Sequence, residues 1–227
     1  MGHRWRVGLA VFLLMLETGC IMGKIPSEFI SLSEACPNII IQSDYSTVKN
    51  FTGEVVPGYK KTAAYMAKAP ARALSEVQKA ALGRGYNLKI FDGYRPVKAV
   101  QFFQEWAKRP ETNPEIKAHY YPSFSRLDLF EKGFIAKQSS HSRGAAVDLT
   151  LVDLKTGKEL DMGSHFDFFD ERSNTDSKNI TEEQKKNRML LKELMESKGF
   201  KNFSQEWWHY SFKPEPHPEE SFDFDVE

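Results

Sequence analysis

Three short segments carry residue types that can do hydrolytic chemistry: Phe91-Asp-Gly-Tyr-Arg-Pro96, Ser139-Ser-His-Ser-Arg-Gly-Ala-Ala-Val-Asp148 and Glu206-Trp-Trp-His-Tyr210. The chain has two cysteines, Cys20 and Cys36, and neither sits in a C-x-x-C pair. A metal site must therefore be built from histidine and carboxylate. His141, Asp148 and His209 are the candidate ligands. Three protein ligands leave a fourth position open for water, and a free carboxylate nearby, Glu206, can take its proton. Each residue alone has a plainer reading. A single histidine beside a strand is usually just hydrogen-bonded, Asp148 could cap a turn, Arg95 could pair with Asp92, and Trp207 and Trp208 could be core. The joint pattern is what singles them out.

The elements that must position these residues raise a parity problem. Ala145 to Val152 reads as a strand, with Val147, Leu149 and Leu151 on the core face and Asp148 on the other. His141 lies seven positions before Asp148, so in an unbroken strand the two would point apart. They converge only if the chain bends at Gly144. Trp207 to Phe212 reads as the final strand, with Trp208, Tyr210 and Phe212 inward and His209 on the other face. Glu206, three positions from His209, needs a bend or bulge near Trp207 to come back to it.

Around these strands the pattern is mixed. Ile39 to Ile41 begins a first strand. Pro70 to Leu82 reads as a helix ended by Gly83 and Gly85, Leu88 to Tyr94 as a strand, and Pro96 opens a helix with Val100, Phe103 and Trp106 on its apolar face. Residues 108–138 show few regular patterns and suit a lid or cleft wall. Thr156-Gly157 marks a hairpin turn, and 161–180 is polar and aromatic loop. Thr181 with Gln184 is a capping box for a helix to Lys198, stopped by Gly199. Strands and helices are segregated, which implies an α+β fold with a mainly antiparallel sheet flanked by helices.

The 227 residues carry 31 basic and 31 acidic side chains. This balance lacks the basic footprint of a nucleic-acid binder and offers nothing to an anionic membrane surface. The start differs from the rest: Arg4 and Arg6, an apolar run from Val7 to Leu16, then Thr18, Gly19 and Cys20. That is a secretory signal over 1–20, implying export to the periplasm of a bacterium. Its Leu-x-x-Gly-Cys ending resembles a lipoprotein signal, so Cys20 is either a lipid anchor on the membrane or lies near a simple cleavage site. Residues 21–37 read as a linker, 38–213 as the functional domain, and 214–227, with Pro214, Pro216, Pro218 and several acidic residues, as a mobile tail.

The set Ser139-x-His141-x-x-Gly144-x-Ala146-x-Asp148 with Glu206-x-x-His209 resembles the zinc D,D-dipeptidase and D,D-carboxypeptidase clan. Ser-Ser-His-Ser-Arg-Gly, Asp-Leu-Thr-Leu and Glu-Trp-Trp-His are especially similar to the vancomycin-resistance type of D-alanyl-D-alanine dipeptidase. The likeness runs from about Asp44 to Phe212. It implies an α+β fold shared with the Hedgehog amino-terminal domain. It also implies one zinc per chain on His141, Asp148 and His209, with Glu206 as base and acid and Arg95 stabilising the oxyanion. Ser139 falls near the substrate carboxylate, Asp167 near the dipeptide amine, and Tyr45 in the same pocket. The implied substrate is D-Ala-D-Ala, with no protein partner. A D,D-carboxypeptidase of stem peptides and a non-catalytic zinc-containing binding domain remain as alternatives.

Overall fold

The structure is a computed structural model that describes residues 25–227. The signal segment expected over 1–20, with its lipid anchor at Cys20, lies outside these residues.

The sheet is built around its central strand, β5 (Ala146–Asp153), which is buried along almost its whole length. With β2 (Ile40–Ile41), β4 (Tyr86–Asp92), β6 (Phe200–Asn202) and β7 (His209–Phe212) it forms a five-stranded sheet in the order β2-β4-β5-β7-β6. Only the β2–β4 pair is parallel. A second, two-stranded sheet pairs β1 (Phe29–Ser31) with β3 (Tyr65–Ala67). The expected α+β class and mainly antiparallel sheet are what the chain adopts.

One face of the large sheet is covered by two long helices. These are α2 (Lys68–Gly83) and α6 (Glu182–Glu196). Leu74, Val77 and Ala81 of the first and Leu191, Leu194 and Met195 of the second meet Leu88, Ile90, Val147, Leu149, Leu151 and Tyr210 from the strands. The period of 3.6 on the helices and of 2 on β5 puts these side chains into one core. The Thr181–Gln184 capping box opens α6, and Gly199, at φ +87°, follows its end. A second, largely aromatic core surrounds α3 (Val97–Ala107), where Tyr45, Phe51, Tyr94, Phe103, Trp106 and Tyr121 pack together.

Three segments depart from the sequence-based expectation. Residues 108–138 contain two short helices, α4 (Pro114–Tyr120) and α5 (Arg126–Glu131), started by the side chains of Asn113 and Ser125. The segment expected to be a linker carries β1 and the short helix α1 (Leu32–Ala35), and buries Leu32 and Cys36. The segment 214–227, expected to be a mobile tail, is packed. Phe222, Phe224 and Val226 alternate as in a strand. Phe224 stacks on Tyr94 at 3.9 Å between centroids, Val226 is fully buried, and Asp225 pairs with Lys60 and Lys98. Its prolines end at Pro218, so they do not interrupt this alternating apolar stretch.

Gly144 makes the bend that joins the two halves of the middle motif. It sits at φ +68°, with its N–H bonded to the carbonyl of His141 and the following N–H of Ala145 returned to Ser140. A Cβ here would run into the Phe29 ring and lie 3.0 Å from the backbone nitrogen of Ala67. Gly144→Ala therefore adds left-handed strain to a clash against backbone. It is expected to cost about 2 kcal/mol or more, seen as a drop of roughly 4–8 °C in melting temperature for a chain of this size. A variant that melts within a degree of the parent would show that the turn tolerates a side chain.

Candidate active site

Sheet register builds the centre of the site. In β5–β7 the residue opposite Asp148 is His209. In β4–β5 the pairing runs regularly to Ile90↔Leu149, then shifts so that Asp92 faces Asp148. That one-residue irregularity is a bulge in β4, a device that re-aims side chains next to functional sites. Asp92, Asp148 and His209 thus lie in one row across three strands. His141 enters from the Gly144 turn, and its Nε2 is 3.3 Å from Asp148 Oδ2 and 3.1 Å from His209 Nδ1. His209 Nδ1 is 3.0 Å from Asp148 Oδ1.

These three residues are the candidate metal ligands among the described residues, their ligand atoms all within 4.8 Å of one another. His141 donates its Nδ1–H to the carbonyl of Gly93 at 2.6 Å, which leaves Nε2 as a bare lone pair pointing at the carboxylate. Ligand atoms around a tetrahedral ion at ~2.0–2.1 Å stand about 3.3 Å from each other. The observed spacings and the nitrogen–oxygen donor set fit a zinc-like cation.

Glu206 is reached by the second expected irregularity. The chain turns at Phe203–Glu206, with the Glu206 N–H bonded to the Phe203 carbonyl and the His209 N–H to the Glu206 carbonyl. Asn202 holds this turn by donating its side-chain amide to the carbonyls of both Glu206 and His209, each at 3.1 Å. The carboxylate stands 4.0 Å from His209 Nδ1, beside the ligand cluster without joining it.

Arg95 follows the β4 bulge. Its Nε donates to Asp92 at 2.9 Å and its Nη2 to Asp148 at 3.3 Å, while the guanidinium lies 5.5 Å from the ring centroids of Tyr45 and Phe103. Tyr45 donates its hydroxyl to Asp167 at 2.8 Å, and Asp167 itself sits at φ +59°, unusual for a residue with a side chain. Ser139 accepts from the His141 N–H at 3.2 Å. All eight residues singled out from the sequence line one cavity of ≈ 190 Å³. Gly133 to Ala136 and Phe169 wall it, so part of the 108–138 stretch does border the cleft.

The protonation behaviour is divided. Burial opposes ionisation of Asp148, yet the adjoining His141 and His209 override it and hold the carboxyl well below the usual range. Burial, reinforced by Asp148 and Asp167, pushes Glu206 well up. Burial likewise pushes Asp167 up, against the hydrogen bond from Tyr45. His209 is lowered by burial, with Asp148 pulling the other way. A lowered imidazole and an ionised carboxylate are the forms that bind a metal.

An α+β sheet with a His/Asp/His cluster at its centre and a free buried carboxylate beside it defines a metallopeptidase. The chain belongs to the D-Ala-D-Ala dipeptidase family, whose family model matches residues 26–227. It is 46% identical over 198 residues to a D-alanyl-D-alanine dipeptidase of Enterococcus faecalis, an alignment covering 87% of this chain and 98% of that one. It is 42% identical to one of Enterococcus faecium with the same coverage. With one of Escherichia coli it shares 30% identity, over 81% of this chain and 84% of that one.

Asp92 is the member of the site that sequence reasoning passed over, treating it only as a plain partner for Arg95. It is fully enclosed, accepting from Tyr59 at 2.8 Å and from the Gly93 N–H at 3.0 Å as well as from Arg95. Burial pushes it up, while Arg95 and His141 pull it down. Its position three residues before an arginine, at the end of a strand, was the available signal. Asp92→Ala removes one partner of a buried ion pair and strands the Tyr59 hydroxyl. The expected loss is about 3 kcal/mol of folding stability by denaturant titration, and a loss under about 1 kcal/mol, the level of an exposed pair, would show that Arg95 is held by Asp148 alone.

Proposed function

We propose that this chain hydrolyses the dipeptide D-Ala-D-Ala to D-alanine, with one zinc held by His141, Asp148 and His209. The observation that carries this reading is the arrangement around the cavity: three converging ligands, a buried carboxylate just outside them, and a guanidinium on the same wall. Zinc bound to these ligands supplies a Lewis acid for the scissile carbonyl and acidifies the water beside it.

The remaining work falls to the chain's own groups. Glu206 accepts the proton of the attacking water and returns it to the leaving amine. Its burial keeps it from being a solvated, weakly basic carboxylate, and a nearby cation offsets the upward push that burial gives it. Arg95 is fixed from behind by Asp92 and Asp148 and needs no reorganisation to stabilise charge on the carbonyl oxygen, an effect typically worth about 3 kcal/mol. Asp167, steadied by Tyr45, meets the substrate ammonium. Ser139, at the head of the His141 turn, lies toward the substrate carboxylate. Reading both ends of a small substrate suits a cavity well below the ~300–1,000 Å³ of drug-sized pockets.

Glu206→Ala is expected to keep its bound zinc, measured on the purified protein, while kcat on D-Ala-D-Ala falls by at least about 10²-fold. Near-parental turnover would remove Glu206 from the mechanism. Free D-Ala-D-Ala should also be cleaved far faster than a pentapeptide with the same ending; the reverse preference would make the chain a carboxypeptidase.

The export reading is also proposed here, on the basic–apolar–Gly-Cys start of the sequence. Mass spectrometry of the mature protein is expected to find a new N-terminus near Cys20, and an intact Met1 terminus on the cell-associated protein would overturn it.

A further inference from the structure

The two imidazoles reach the ligand cluster by opposite nitrogens. His141 presents Nε2 and anchors Nδ1 on the backbone carbonyl of Gly93. His209 presents Nδ1, and its Nε2 lies 3.3 Å from the hydroxyl of Ser211. Ser211 is in turn 2.9 Å from the hydroxyl of Ser140. A carbonyl oxygen can only accept, so the His141 tautomer is set by the backbone. A hydroxyl can accept or donate, so the His209 tautomer depends on how Ser211 is itself held.

We propose that Ser211 and Ser140 form a hydroxyl relay that holds His209 with Nδ1 facing the metal and thereby sets the affinity of the site. The inference rests on the assignment of His209 as a ligand. The fold places both serines for this task. Ser211 is two residues beyond His209 on β7, hence on the same face of the strand, and it pairs with Ala146, two residues before Asp148. Ser140 directly precedes His141 in the Gly144 turn, and its carbonyl receives the Ala145 N–H at 3.0 Å. One hydroxyl pair therefore ties together the segments that carry all three ligands. Ser211 is not among the residues lining the cavity, so it acts through His209 and not on a substrate.

In the relay the His209 Nε2–H donates to Ser211 Oγ, and the hydrogen bond between the two hydroxyls fixes where that oxygen's lone pair points. Without Ser211, nothing among the contacts of His209 favours the proton on Nε2. With the proton on Nδ1, the ring satisfies Asp148 by an ordinary hydrogen bond and the ligand lone pair is lost. Groups that orient a metal-bound imidazole commonly change metal affinity by 10–100-fold when removed.

The test is a chelator competition for zinc on the metal-stripped protein, which reads affinity without reference to turnover. Ser211→Ala is expected to bind zinc about 10–100-fold more weakly, and Ser211→Thr, which keeps the hydroxyl, to stay within about threefold of the parent. Ser140→Ala should weaken binding less, and the double alanine variant should be no weaker than Ser211→Ala, because the two serines act in series. Zinc affinity of Ser211→Ala within about twofold of the parent overturns the relay. Equal weakening in the alanine and threonine variants also overturns it, since packing and not the hydroxyl would then be responsible. His209→Ala separates the two levels of the argument. If it leaves zinc affinity intact, the ligand assignment fails; if it abolishes binding while Ser211→Ala does not weaken it, only the relay fails.

Discussion

The structure depends on a surplus of buried negative charge. Asp148, Asp167 and Glu206 are each at least nine-tenths buried around one cavity, Asp92 is buried behind it, and Arg95 is the guanidinium that faces them. Isolated carboxylates in such surroundings carry a large desolvation cost. The fold answers it unevenly. Asp92 and Asp148 are saturated with donors and cation. Asp167 has a single phenol, and Glu206 stands beside the ligand cluster with an imidazole 4.0 Å away. The uneven treatment matches the proposed chemistry, in which positive charge arrives as a metal ion beside Glu206 and as an ammonium group at Asp167.

That electrostatic centre is held by register. Asp92, Asp148 and His209 are aligned by three neighbouring strands, and a one-residue slip in either pairing would turn a carboxylate or an imidazole into the hydrophobic core behind the sheet. The hydrophobic faces of α2 and α6 thereby police the chemistry. They specify which parity of β5 and β7 is inward, and the site takes the other. His141 and Glu206 are placed by local turns outside this ladder, and the second turn lets Glu206 approach the ligands without being aligned with them.

Much of this was legible because the sequence conflicts with regular geometry. His141 and Asp148, or Glu206 and His209, cannot converge on unbroken strands, so a bend was required at Gly144 and near Trp207; turns occupy both places. The bulge in β4 was not legible. Ile90, Phe91 and Asp92 are buried in succession, so no inside–outside alternation remains from which the rotation of Asp92 toward Asp148 could be read. The C-terminal stretch was misread for a different reason. Its prolines and acidic residues suggested mobility, whereas the alternation of Phe222, Phe224 and Val226 carried the stronger physical signal. α4 and α5 are too short for periodicity to reveal, and only their capping residues, Asn113 and Ser125, mark them.

The Gly144 turn and the β5–β7 pairing have a kinetic meaning as well. His209 is 61 residues from Asp148 and 68 from His141 along the chain. Contacts over such separations close late, because loop entropy must be spent before they form. The ligand cluster therefore exists only when β7 is paired with β5. Metal capture becomes a report that the last strand is in place. Bound there, a metal ion would tie β7 to β5 and to the Gly144 turn, and at a free concentration one hundred times its dissociation constant that linkage would add about 2.7 kcal/mol to the folded state.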